Sequence, residues 1–337
     1  MTSFPRIMTK RFLISKILFP TAIAVIISYF MLSQIQIRRI PQTLESLPIP
    51  ALVIGFILYC LFVWTKALRF RELLRLNRPV KHLFPILALH TFWGNILPMR
   101  SGDVSYIYLM KQRQQVGSIR SVASLLLASI IDLTSLIGLM IGTGWLLRSH
   151  LEGQLSYVLL FLIPILIGVS LISLITLACL APNLCITFAE RIANPFFQWN
   201  IQLVSWGAKK CLEIIGELTQ IRLDRRLFKI WTYSIVSLCL RFGFQCYLVR
   251  EMGVAISVLP LLFGLAFTNV FNLLPIQSIG NFGTVELPFA WALTRFGTSE
   301  EVAIVSGFSL HLIILLYCLP LGVYGAMRKS KNNGAKK

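Results

Sequence analysis

Charge is scarce in this sequence. Asp, Glu, Lys and Arg make up 13% of its 337 residues, where a soluble domain carries about a quarter. Acids are scarcer than bases, 13 against 32, which leaves a formal net charge of +19. Long apolar runs separate the basic clusters, so the excess does not form a nucleic-acid surface, and no nucleic-acid partner is expected. The seven cysteines (Cys60, Cys179, Cys185, Cys211, Cys239, Cys246 and Cys318) include no Cys-x-x-Cys pair, and no His cluster has metal-ligand spacing. No metal and no cofactor are expected. There is also no nucleotide-binding glycine loop and no nucleophile–base constellation, so the chain is not expected to be an enzyme and no catalytic residue is assigned.

What remains is apolar: 56% of the residues are hydrophobic and mean hydropathy is +0.75. The sequence predicts an all-α polytopic membrane protein, a single integral membrane domain over residues 1–337. Crossing a hydrocarbon core takes about 20 apolar residues. Six runs meet that length, near 17–37, 48–68, 121–147, 155–181, 229–249 and 302–327. The first is too long for a signal-peptide core and lacks a small-residue cleavage site, so it reads as an uncleaved span.

Two further apolar stretches, 83–98 and 255–275, are short or broken, and each leads through polar, glycine-containing sequence to a brief apolar return. The positive-inside rule decides whether they cross. If both are re-entrant, Lys and Arg divide 26 against 5 between the two sides; if both cross, the split is 17 against 14. The first division is expected, with two re-entrant hairpins and both termini cytoplasmic. Residues 83–97 extend about 22 Å as a helix, so that tip passes the midplane. Non-helical backbone at that depth must be buried in protein or line a wet cavity. Asn95 and Asn272 stand at the tips, either as caps of broken helices or as substrate contacts.

Aligning the tip prolines sets Asn95–Ser101 over Asn272–Ser278, with four of seven positions identical. Residues 48–147 and 229–327 each read span, hairpin, span, with opposite orientation. This inverted-topology repeat is an arrangement on which transporters build alternating access around a midplane site. A span at 155–181 and a cytoplasmic amphipathic segment at 183–228, its helix started by Asn194-Pro195, join the halves. That segment fits a helix lying on anionic lipid or one packed against the bundle.

Ionisable groups inside a bilayer are costly and face a cavity or a partner. Asp132, Arg241 and His311 fall within spans, and Arg100, Asp103 and Glu286 just past the tips. Asp132 lies 34 residues beyond its proline and His311 lies 36 beyond its own. Arg100 and Arg241 are the candidate phosphate grips, because a guanidinium presents a two-donor fork. A structural ion pair between Asp132 and Arg241 is the alternative for those two. Gly138 and Gly142 suggest a helix-packing step, and Arg69, Arg71 and Arg75 suggest topology-setting charge.

The run Leu97-Pro98-Met99-Arg100-Ser101-Gly102-Asp103, followed later by Leu274-Pro275 and Gly280-Asn281-Phe282-Gly283-Thr284-Val285-Glu286, resembles the lysylphosphatidylglycerol-synthase transmembrane domain family of flippase-like membrane proteins. The resemblance covers nearly the whole chain. It implies a plasma-membrane protein that moves or modifies lipids or lipid-linked sugars. Family members often carry Glu where Asp103 stands, Arg at Tyr106, and an acid–base pair at Ala128-Ser129. The expected partners are therefore membrane lipids, either an anionic phospholipid or a polyprenyl-phosphate-linked substrate. A glycosyltransferase is a further expected partner if the chain acts as a scaffold. The leading expectation is a flippase for an anionic head group; the alternatives are a head-group transferase using Asp103 or Glu286 as base, and a non-catalytic scaffold.

Overall fold

The computed structural model describes residues 25–26, 28–33, 35–98, 101–148, 163–198, 202–220, 224–272 and 278–328. Arg100, Pro275, Gln277, much of the expected 17–37 span and the start of the 155–181 span lie outside them. Among the described residues there are helices and no strands.

Four helices are long and apolar enough to cross a membrane: α2 (Ile49–Leu73), α5 (Ser118–Leu146), α9 (Arg225–Glu251) and α12 (Glu300–Met327). Their starts follow local chemistry. Pro50 opens α2, where its fixed φ suits the first turn and its missing N–H costs nothing. Asp224 caps α9, accepting from the N–H groups of Arg226 and Leu227 at 2.9 and 3.0 Å. Glu300 and Glu301 place negative charge on the first turn of α12, and Arg39 of the short helix α1 (Arg39–Glu45) pairs with Glu301 at 3.0 Å.

Four of the six expected spans are these helices, and the other two, 17–37 and 155–181, lie partly outside the described residues. A fifth requires joining α6 (Ile163–Leu180) to α7 (Pro182–Gln198), which meet at a bend of 111°. Proline at the start of α7 cannot extend the helix before it. The amphipathic segment is also two helices rather than one. Pro195 lies inside the last turn of α7 instead of starting a helix, and α8 follows over Gln202–Leu218. Helix α8 packs on α7 and on α5, which is the bundle-packing alternative. Between these three helices and α6 opens an apolar cleft of about 1060 Å³, lined by Leu127 and Ile130 of α5 on one side and Ile192 and Ile215 on the other.

Two pairs of short helices stand where the hairpins are expected. Helix α3 (Phe84–Ile96) packs on α4 (Gly102–Leu109), and α10 (Val258–Phe271) packs on α11 (Glu286–Arg295). At 13 and 14 residues, α3 and α10 reach about 20 Å each, short of a hydrocarbon core of about 30 Å. Gly102 is needed for the first pair, because a Cβ there would lie 2.6 Å from the Gly94 backbone nitrogen.

The packing is reciprocal. The long helices α2 and α9 lie against each other, α12 packs along α3, and α5 packs along α10. Each short limb therefore leans on a long helix distant in sequence. In its most apolar window α12 is 67% buried, against 33–39% for the other three long helices, so it is the innermost of them. Among the described residues nothing packs on the Gly138–Gly142 step: a Cβ at either glycine meets nothing within 4 Å. Close approach occurs at Gly322 and Gly325 of α12 instead, where a Cβ would lie 2.5 Å from the Phe92 ring and 2.5 Å from the Pro85 carbonyl oxygen.

Candidate functional site

Where these helices converge they enclose a cavity of about 290 Å³, roughly ten water volumes. Six of the eight residues singled out in the sequence line it: Asn95, Asp103, Asp132, Arg241, Asn272 and His311. Glu286 lies directly behind His311, and Arg100 is outside the described residues.

Asp132 does not pair with Arg241. Its carboxylate takes both arms of Arg69 on α2: Nη1 contacts Oδ1, and Nη2 donates to Oδ2 at 3.0 Å, the two-donor grip that guanidinium geometry favours. Nη1 also donates to Ser234 Oγ at 3.2 Å. Arg69 is buried, so it is a site residue rather than a charge at the span boundary. One helical turn earlier, Lys66 donates to Thr91 Oγ1 at 3.2 Å. Arg241 makes no ion pair with a described residue. Its guanidinium carbon sits 6.0 Å from the Phe62 ring centroid, and Lys66 Nζ sits 5.6 Å from the same ring. Three cations thus meet around one cavity, two of them flanking an aromatic ring whose face favours positive charge.

Each hairpin also contributes a carboxylate paired with a histidine. His90 Nε2 on α3 lies 2.9 Å from Asp103 Oδ1 on α4. His311 Nδ1 on α12 lies 2.5 Å from Glu286 Oε1 at the start of α11. The other oxygen of Glu286 accepts the Gly283 N–H at 2.8 Å. Gly283 has φ +78°, a left-handed value that glycine adopts without strain. The Gly-Thr-Val-Glu spacing therefore turns the backbone donor onto the carboxylate.

Amides complete the lining. Asn95 and Asn269 each donate to the carbonyl four residues earlier, Thr91 and Leu265, at 2.7 Å. Asn281 Nδ2 approaches the Gly94 carbonyl at 3.5 Å, joining the second loop to the first hairpin. Gln245 reaches the cavity from α9.

Sequence reasoning missed Lys66, Arg69, His90, Gln245, Asn269 and Asn281 as site members. A signal existed for the first two: Tyr59, Phe62, Lys66 and Arg69 recur at three- and four-residue steps, one face of a helix. Among the described residues no group of three His, Cys, Asp or Glu side chains is placed to hold a metal ion.

Residues 17–322 match the family described as the lysylphosphatidylglycerol synthase TM region. The chain belongs to this family. Both hairpins, three of the four long helices, the greater part of α12 and every cavity residue fall within the matched range. Membership makes it a membrane protein of lipid-related function. No curated protein and no solved structure matches it.

Proposed function

We propose that this family member moves an anionic lipid head group across the plasma membrane, through the cavity and between two re-entrant gates. The substrate is a phospholipid or a polyprenyl-phosphate-linked sugar, and it leaves chemically unchanged. One observation carries the reading: Lys66, Arg69 and Arg241 gather in a polar cavity enclosed by helices whose outer faces are apolar. Desolvated cations at that depth attract a phosphate more strongly than water-exposed ones would. The lining comes from both sequence halves, 48–147 and 229–327, and the reciprocal packing of their short and long helices fits an inverted repeat with a central site. Arg100 joins the site on sequence grounds, and the Lys and Arg count supports cytoplasmic termini.

One feature favours a second reading. Asp103 and Glu286 each carry a histidine partner, as a general base in a head-group transferase would. Reconstitution separates the alternatives. Vesicles holding the purified protein and fluorescent phosphatidylglycerol, or fluorescent polyprenyl phosphate, should exchange the probe between leaflets several-fold faster than protein-free vesicles, while fluorescent phosphatidylcholine should not respond. A covalently altered probe would favour the transferase. Neither exchange nor product would leave a scaffold for a partner glycosyltransferase.

A further inference from the structure

The two histidine–carboxylate pairs share a feature that anion binding alone does not require. His311 and Glu286 are 3% and 0% exposed, and His90 is 8% exposed. In each pair one ring nitrogen faces the carboxylate. The other, His311 Nε2 or His90 Nδ1, is buried with no hydrogen-bond partner. Beside an ionised carboxylate the facing nitrogen bears the proton, so the remaining nitrogen holds a bare lone pair. Buried polar atoms are seldom left unpaired. Here the same kind of atom is left unpaired twice, once in each half, and both histidines line one cavity.

The surrounding charges give these lone pairs a role. The titratable groups that line the cavity around the histidines are Tyr59, Lys66 and Arg69 on α2, Asp103 on α4, Asp132 on α5 and Arg241 on α9. Glu286 on α11 backs His311, and the Tyr106 and Phe282 rings lie 5.3 and 4.9 Å from the His90 and His311 ring centroids. With both imidazoles neutral, the three described cations and three described carboxylates cancel. An anionic head group entering among these described groups brings charge that they do not compensate, which is costly. A proton from water, bonding to a bare ring nitrogen, restores neutrality. It also turns that nitrogen from an acceptor into a hydrogen-bond donor.

We propose that the cavity binds its anionic head group together with protons, taken up at His90 and His311. This rests on the transport reading only for its consequence: translocation would then be proton-coupled, the protons leaving to water when the head group leaves. Linkage requires that head-group affinity fall as pH rises between the histidine midpoints of the free and loaded protein, by up to about tenfold per pH unit for each linked proton.

The chain has four histidines, few enough to follow singly. Purified full-length protein in detergent, carrying ¹³C at histidine Cε1, is titrated by NMR with and without dihexanoyl-phosphatidylglycerol; zwitterionic dihexanoyl-phosphatidylcholine is the control. Two signals, those missing in His90→Gln and His311→Gln, should move to midpoints higher by about half a pH unit or more, at least a threefold gain in proton affinity. The phosphatidylcholine should leave them in place. Glu286→Gln should lower the His311 midpoint by removing the counter-charge of the imidazolium. If a variant does not fold, the wild-type protein still decides, since two of its four signals must respond. Unmoved midpoints, or equal movement with both lipids, overturn the proposal. Shifted midpoints alongside vesicles that exchange no lipid would keep the proton-linked anion site and remove the transport reading.

Discussion

Asp132 and Arg241 resemble each other in the sequence, each a charge in an apolar run, and differ in what surrounds them. Asp132 is held by both arms of Arg69, whereas Arg241 has an aromatic neighbour and no ion pair with a described residue. Neutralising Asp132 strands a buried guanidinium. Asp132→Asn should therefore lower stability by about 1–3 kcal/mol, between the values for exposed and buried pairs because the Asp132 side chain is 41% exposed. Arg241→Gln should cost less than about 1 kcal/mol, yet abolish most lipid exchange. Thermal unfolding in detergent, followed by tryptophan fluorescence, tests the first contrast; equal destabilisation would make Arg241 structural. Asp132 was legible because a lone acid in an apolar run must have a reason to be there. Its partner was not, because Arg69 follows the last apolar residue of its run and a boundary arginine reads as topology-setting charge. His90 was hidden differently, since a lone histidine in an apolar segment carries no periodic signal.

The helices themselves were more legible than their contacts. Hydropathy placed α2, α5, α9 and α12 to within a few residues, and the tip prolines marked where α3 and α10 end. Helix partners were not readable, because apolar periodicity names a buried face without naming what covers it. Glycine spacing did not mark the close contacts seen among the described residues. Gly138 and Gly142 have the familiar step but open surroundings, while Gly322 and Gly325 on α12 touch Phe92 and the Pro85 carbonyl. Gly325→Ala should force a methyl against rigid backbone and cost about 1–3 kcal/mol. Gly138→Ala should be neutral or stabilise by up to about 1 kcal/mol, since alanine loses less entropy in a helix. Monodispersity and melting temperature in detergent would read both; a harmless Gly325→Ala would contradict the α3–α12 contact.

At the scale of the molecule, the untested element is orientation. The uneven Lys and Arg division predicts that the segment following α4 is cytoplasmic and that the Arg295–Ser299 turn is outside. Single cysteines introduced at Lys111 and Gly297, in a background lacking the seven native ones, should differ accordingly. A membrane-impermeant maleimide added to intact cells should label the Gly297 position and spare Lys111. Labelling at Lys111 from outside would remove the inverted repeat and the two-gate scheme together.

The α3–α12 contact also bears on how the protein is made. Helix α3 finds its cover in the last described helix, more than 200 residues later, and long-range ties reinforce the closure: Tyr317 Oη donates to the Leu52 carbonyl at 2.6 Å, and Arg113 to that of Gly325 at 2.8 Å. The ribosome therefore delivers the first hairpin long before its packing partner exists. Until α12 is inserted, His90, Asp103 and the cations of α2 border an unfinished pocket, and loop closure over such a span is slow. A nascent chain stalled ahead of residue 300 would present that polar groove to lipid and to quality-control proteases. Helix α12 thus closes the pocket, so losing a few residues at its end should reduce protein abundance more than an equal loss in a lipid-facing helix.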